Sequence, residues 1–129
     1  MNPVLAQGVI FMTLALAFYT YAVFSGRAQG LHLRHLAAFG TGLLMDYLGT
    51  HQMSIYARMM GPAPEIHNLS GIVSLGGMGV HFFLALAARS AGWGDAANRV
   101  FHRISLTIYS LWCIAFFSGA VAGISKTGG

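Results

Sequence analysis

Charged residues are scarce in this chain, and cysteine is almost absent. Of the 129 residues only 8% are charged, while 56% are hydrophobic, whereas an average soluble domain carries about 25% charged residues. Cys113 is the single cysteine, so no disulfide can form within the chain. Neither an internal repeat nor a low-complexity segment is evident. This composition argues against an ordinary soluble domain and predicts an integral membrane protein.

Four apolar stretches fill most of the sequence. A helix needs about 20 residues to cross the hydrocarbon core of a bilayer, and each stretch has that length. Lipid offers no partners for free backbone groups, so the stretches should be helices, and their short connections make successive helices antiparallel. We therefore expect a single domain, residues 1–129, folded as an all-α, up-and-down bundle of four transmembrane helices. The expected helices cover residues 3–25, 34–57, 68–89 and 100–124.

The net charge of +4 is mostly a signal of topology. Basic residues concentrate in the cytoplasmic loops of membrane proteins, and the first and third connections must lie on the same side. We expect that side to be the cytoplasm, with both termini outside. Nothing else indicates a nucleic-acid partner, whereas the same basic residues suit anionic lipid or heme propionates. They are Arg27, Arg34, Arg89, Arg99 and Arg103, against Arg58 and Lys126 on the other side.

The second expected helix carries an aspartate between two histidines, in "RHLAAFGTGLLMDYLGTH". Asp46 lies eleven positions after His35, so at about 100° per residue the two share a helix face within about 20°. Thr50 and Met53 follow on that face. His51 falls about 140° from Asp46 and points to a different neighbour. An ionisable group deep in a membrane helix is costly, which makes Asp46 a functional candidate by default.

The third expected helix carries two histidines on one face. His67 and His81 are separated by about 21 Å along the helix and about 40° around it. The expected topology gives an inner site, where His81 faces His35 or His102. It also gives an outer site, where His51 faces His67. Facing imidazoles in a helical bundle are the usual axial ligands of b-type heme, so we expect one heme b and allow for two.

Each of these features also has a structural explanation. Histidines near helix ends, such as His32, His35 and His102, often only sit among lipid headgroups. Small residues, which a flat macrocycle needs beside it, more often serve close helix packing. Asp46 can hydrogen-bond across helices, orient a ligating histidine, or couple a proton to transport. The small residues in question are Gly40, Gly42, Gly49, Ser70, Gly71, Ser74, Gly76, Gly77 and Gly79.

Several motifs taken together resemble a known family. "RHLAAFGTGLLMDYLGTHQMS", "HNLSGIVSLGGMGVH" and "FHRISLTIYSLW" with "FSG" look like the HsmA family of small four-helix bacterial membrane proteins, over more than half of the chain. The resemblance implies heme response and tolerance, heme binding, and a multi-pass protein of the bacterial cytoplasmic (inner) membrane. His51 departs from the family pattern. The matching positions are His35, Asp46, Gly49, Thr50, Met53, His67, Gly71, His81, His102 and Ser105.

A shorter similarity concerns redox complexes. "FHRIS" and the Arg-His-Leu that opens the second expected helix resemble the heme- and quinone-binding membrane subunits of succinate dehydrogenase, with the order of the motifs reversed. This similarity implies the membrane anchor of a redox complex as a further role.

Heme binding, for sequestration, tolerance or transmembrane electron transfer, is the function that we expect. His81 is the first candidate ligand of the heme iron, and Asp46, Thr50, Ser105 and Tyr109 are expected around the ligands. Two histidine ligands leave the iron no open position, so an electron carrier or heme store is favoured over a stand-alone enzyme. Its partners would be the lipid bilayer and a quinone or a redox protein. The alternatives are a small proton-coupled exporter of two subunits that uses Asp46, and a structural subunit of a larger membrane complex or a homo-oligomer.

Overall fold

The part of the chain that the structure describes folds into four helices. The computed structural model describes residues 2–29, 32–61, 65–92 and 95–128, and over these ranges it contains no strand. The all-helical class is therefore confirmed, and each expected helix is present. The helices are α1 (Pro3–Gln29), α2 (Leu33–Met60), α3 (Glu65–Ala91) and α4 (Asp95–Gly128).

Every helix extends beyond its expected bounds, by about one turn at one end or both. The reason is that the thickness of a bilayer sets a minimum length for a crossing helix and not the point where the helix stops. The end of α2 shows what does stop it. Gly61 follows with a φ of 100°, a conformation that favours glycine, and its N–H donates to the carbonyl oxygen of Ala57 over 3.0 Å.

Three of the four helices are long and apolar enough to cross a membrane. They contain the stretches Pro3–Gly26, His67–Ser90 and His102–Val121, as found among the described residues. Residues 34–57, expected to be a fourth such stretch, are not among them. The physical reason is the composition of α2, which holds Asp46 and two histidines between arginines near its two ends.

The four described helices pack side by side and form a ring in which each helix contacts two neighbours. α1 lies against α2 most extensively and α3 lies against α4 next, while lesser contacts of α2 with α3 and of α1 with α4 close the ring. Within the described residues, the backbones of the diagonal pairs do not approach each other. Many large apolar side chains remain exposed outside the ring, Ile72, Phe83 and Ile114 among them. The main buried cluster is Ala15, Tyr19, Ala22, Ala38, Phe39, Met78 and Trp112.

Two glycines of α2 allow α1 to approach closely. A Cβ atom on Gly42 would lie 2.9 Å from Cδ1 of Tyr19, and one on Gly49 would lie 2.9 Å from Cγ of Met12. Both distances are below ordinary van der Waals contact, so a larger residue would require the neighbouring side chain or the helix itself to shift. At these two positions the small residues serve helix packing.

Candidate functional site

Asp46 lies at the centre of a polar cluster that joins three helices. The hydroxyl of Tyr19 on α1 donates to Oδ2 of Asp46 over 3.0 Å. Nε1 of Trp112 on α4 donates to the same oxygen over 2.9 Å. All three side chains are buried, with exposed fractions of 0% for Tyr19, 2% for Asp46 and 3% for Trp112. We call these three residues the Asp46 cluster.

The positions of the partners follow from the packing of the helices. Because Gly42 lies one turn before Asp46 and has no side chain, the ring of Tyr19 can rest on α2 with its hydroxyl directed at the carboxyl group. Trp112 reaches Asp46 across the diagonal of the ring of helices. The Tyr19 and Trp112 rings meet edge to face, with centroids 5.1 Å apart and planes at 85°, an arrangement that aromatic pairs prefer.

His81 on α3 is a further deeply buried ionisable side chain. Its exposed fraction is 1%, and its ring centroid lies 5.1 Å from that of Phe39. His102 on α4 is close enough for the two imidazoles to interact electrostatically. Ser105, buried one turn after His102, lies on the same helix. The structure thus brings His81 into the neighbourhood of one of its two expected partners.

The second expected partner, His35, is fully buried and engaged through both ring nitrogens. Its Nδ1 accepts the backbone N–H of His32 over 3.0 Å, so the ring proton sits on Nε2 in the neutral form. Nε2 lies 2.9 Å from the Ser25 hydroxyl on α1 and donates to it. His35 and Asp46 do share the buried face of α2, as expected, but about 16 Å of helix rise separates them.

The two histidines of the expected outer site point in different directions. His51 is exposed on α2. The His67 ring instead lies over Gly119 of α4, where a Cβ atom would come within 2.5 Å of Cε1. Its Nδ1 is 3.3 Å from the hydroxyl of Ser118. That hydroxyl donates to the carbonyl oxygen of Ala115, so His67 is the donor of the pair and carries its proton on Nδ1.

Thr50 and Tyr109, expected near the ligands, take part in other contacts. Thr50 is half-buried, and its carbonyl oxygen accepts a hydrogen bond from Ser54. The Tyr109 hydroxyl lies 2.7 Å from Oγ1 of Thr20. Because Thr20 donates its own proton to the carbonyl oxygen of Leu16, Tyr109 is the donor. Tyr109 therefore ties α4 to α1, as Trp112 ties α4 to α2.

Tyr19 and Ser25 are the polar partners that sequence reasoning did not assign to a site. The available signal was the absence of acidic residues and histidines from the first expected helix, since a buried carboxyl or imidazole facing that helix must then be satisfied by its hydroxyl or amide side chains. Trp112 carried a weaker signal. An indole N–H buried in a membrane helix needs an acceptor, and Asp46 is the one acidic residue expected within the bundle.

An apolar cleft opens between α2 and α3, with a volume of about 560 Å³. No histidine belongs to its lining among the described residues. Phe82 connects the cleft to the neighbourhood of His81, because its ring lies 5.9 Å from that of Phe39. The lining residues are Gly40, Leu43, Leu44, Tyr47, Leu75, Gly79 and Phe82.

The donor set can be tested against a metal ion and against heme. The described residues contain no group of three or more His, Cys, Asp or Glu side chains that could hold a bare ion. A b-type heme needs less, because the porphyrin supplies four nitrogen ligands and the protein only one or two. His81 with His102 is a donor set of that kind. In chemical type, the residues present therefore fit heme.

No protein-family model, no curated protein and no solved structure matches this chain. The support for a function therefore comes from the contacts between residues described above.

Proposed function

We propose that this chain is a multi-pass protein of the bacterial cytoplasmic membrane, an up-and-down bundle of four transmembrane helices with both termini outside. We further propose that it binds b-type heme through His81, for heme sequestration or for electron transfer. The observation that carries the proposal is the imidazole of His81, which is 1% exposed and lies within electrostatic reach of a second imidazole, that of His102. When bound, heme would supply a one-electron couple.

The membrane assignment of α2 is supported by where its polar groups lie. Asp46 and His35 are turned inward and hydrogen-bonded, whereas Leu44 and Tyr47 are exposed. Arg34 and Arg58 are exposed near the two ends. They are separated by about 36 Å of helix rise, slightly more than the hydrocarbon thickness of about 30 Å. This distribution is typical of a helix that crosses a membrane within a bundle.

The hydroxyl groups on the outer surface give independent support. Lipid cannot satisfy a hydroxyl, so Ser and Thr side chains in membrane helices bond back to their own helix. Surface hydroxyls of three helices do so here, each over 3.3 Å or less. The pairs are Thr13 to Val9, Thr41 to Ala37, Ser54 to Thr50, Thr107 to Arg103 and Ser110 to Leu106.

His102 is favoured over His35 as the second ligand. To coordinate iron through Nε2, His35 must give up its bond to Ser25 and move its proton to Nδ1. Nδ1 would then face the backbone N–H of His32 as a second donor, and the hydrogen bond at the start of α2 would be lost. Ligation by His35 therefore costs two hydrogen bonds. We assign His35 to holding the start of α2 against α1.

Two aromatic side chains lie between His81 and the apolar cleft, and their movement would open a pocket for heme. Phe39 contacts His81, and Phe82 joins Phe39 to the apolar cleft. Movement of these two rings would unite the cleft with the space around His81. Asp46, whose contacts are Tyr19 and Trp112, would then act by fixing α1 and α4 on α2 rather than by touching a ligand.

The test is an absorption spectrum of the detergent-purified protein, oxidised and then reduced, with heme extracted and counted per chain. We expect one heme per chain and the sharp reduced bands of six-coordinate b heme. His81→Ala should lose the heme and His102→Ala should lose it or convert it to five-coordinate. The matched controls His35→Ala and Cys113→Ala should retain it. A count of two would assign the second heme to His67 or His51.

Two results would overturn the heme proposal: a protein that stays colourless after heme is added, and a His81→Ala variant that keeps its heme. Of the alternatives, an exporter gains no support from the geometry. The Asp46 carboxyl is enclosed by Tyr19 and Trp112 and is 2% exposed, whereas a transport site needs access for its cargo. A structural membrane subunit is the function to which a colourless protein would point.

A further inference from the structure

We propose that the Asp46 cluster is redox-active: a one-electron oxidant of the peroxyl-radical class, which becomes a peroxide anion, removes an electron from Tyr19 by way of Trp112, while Asp46 takes the phenolic proton. No step uses His81 or a bound heme, so this proposal stands apart from the proposed function.

Burial dictates that the electron and the proton of Tyr19 leave separately. The side chain is 0% exposed, so no reagent in water or lipid can touch the phenol and abstract a hydrogen atom from it. The proton has a short path, because the hydroxyl already donates to Oδ2 of Asp46 over 3.0 Å. The electron needs a different route to the surface.

A series of aromatic rings supplies that route. The Tyr19 ring contacts Trp112 with centroids 5.1 Å apart. Trp112 stacks on Phe116 at 5.5 Å, and Phe116 contacts Phe117 at 5.2 Å. Phe117 is 57% exposed on the outer face of α4. An oxidant at that face is therefore linked to Tyr19 by rings in van der Waals contact, with the oxidisable indole of Trp112 next to the phenol.

The charge of the site favours a coupled step. In its ionised form Asp46 is a buried carboxylate whose Oδ2 accepts from two neutral donors, the Tyr19 hydroxyl and the Trp112 N–H. Removing one electron breaks the O–H bond of Tyr19 and forms an O–H bond on Oδ2 of Asp46, and the oxidant is reduced by one electron. The products inside the protein are a neutral phenoxyl radical and a neutral carboxylic acid. Burying a charge is costly, so this oxidation removes an unfavourable charge from the interior.

The shared oxygen limits the cluster to one oxidation at a time. Tyr19 and Trp112 donate to the same atom, Oδ2, and that oxygen can form only one new O–H bond. Once Oδ2 is protonated, Trp112 has no base to take its N–H proton if a second electron leaves the cluster. The radical should therefore rest on one residue, and returning one electron restores the starting state.

The experiment is laser flash oxidation of the purified protein with tris(bipyridine)ruthenium and persulfate, followed by electron paramagnetic resonance. Ascorbate is added to reduce radicals on exposed tyrosines. We expect a tyrosyl signal that persists in ascorbate. Tyr19→Phe, which keeps the ring, should lose this signal. Tyr47→Phe, at a tyrosine that is 60% exposed, should keep it. A persistent tyrosyl signal in Tyr19→Phe would overturn the proposal.

Asp46→Asn tests the role of the carboxylate. The amide oxygen can still accept from Tyr19 and Trp112, but the amide is too weak a base to take the proton. We expect formation of the tyrosyl radical to slow by about 100-fold, the contribution typical of a positioned base, with the radical left on Trp112. Near-ultraviolet circular dichroism checks that the fold is retained. Should the variant not fold, the wild type decides: slower radical formation in D2O than in H2O supports coupling, and equal rates refute it.

Discussion

The two sides of α2 are packed in different ways. Toward α1 and α4, its buried carboxyl has two donors, and Gly42 lies too close to Tyr19 for any side chain to fit between them. Toward α3, an apolar cleft remains, and Gly79 has open space where a Cβ atom would be. Close packing with satisfied polar groups fixes one arrangement of helices, whereas a loose interface allows them to move. The first side is suited to holding the bundle, and the second to admitting a ligand.

We call the side of α2 that faces α1 and α4 the closed side. The largest expected effect comes from removing its hydrogen-bond acceptor, the carboxyl group of Asp46. Asp46→Leu leaves the Tyr19 hydroxyl and the Trp112 N–H buried without their shared partner. The variant loses two hydrogen bonds, which are of modest strength between membrane helices, and it also buries two unsatisfied donors. Together these changes should lower the free energy of unfolding by about 2 to 4 kcal/mol. Unfolding in a mixed-micelle denaturant titration measures it.

Asp46→Asn is the matched control for that substitution, because its amide oxygen can accept both hydrogen bonds. It should lose less than half as much stability as Asp46→Leu. Equal losses in the two variants would mean that the charge of Asp46, and not its role as an acceptor, stabilises the closed side.

A smaller effect is expected from crowding the same interface. Gly42→Ala places a methyl group 2.9 Å from the Tyr19 ring and 3.1 Å from Cβ of Phe18. The ring can shift, but Cβ of Phe18 is fixed to the backbone of α1, so the helices must separate slightly. Overpacking of this kind costs about 1 to 3 kcal/mol, and the same titration measures it. An unchanged midpoint would show that α1 is not held against α2 as closely as the structure indicates.

The sequence predicts the closed side less completely than it predicts the helices. Apolar stretches and short connections predict four helices, although α2 is less apolar than the other three. Helical periodicity places His35 and Asp46 on one buried face of α2. Periodicity within one helix does not set its rotation against the next, so it could not identify Tyr19 and Trp112 as the partners of Asp46. For the same reason periodicity could not set the directions of the outer pair: His67 turns toward Gly119 of α4, and His51 is exposed.

The role of glycine was also ambiguous in the sequence. Gly42 and Gly79 read alike, as small residues beside a helix interface. Only the distances separate them, since a Cβ atom would meet Tyr19 at the first and nothing within 4 Å at the second. Whether a side chain fits at a glycine position depends on which atoms of the neighbouring helix lie beside it, and the packing of the whole bundle determines those atoms.

The smallest effect, and the sharpest contrast with Gly42, is expected at Gly79. Alanine there meets no neighbour and removes the backbone freedom of a glycine in a helix, so Gly79→Ala should leave stability unchanged or raise it by up to about 1 kcal/mol. If the cleft admits a macrocycle beside this glycine, the same methyl group should weaken heme retention while stability holds. Heme titration and denaturant titration of one preparation therefore separate the two roles. Loss of stability at Gly79 equal to that at Gly42 would show that α2 packs against α3 as tightly as against α1.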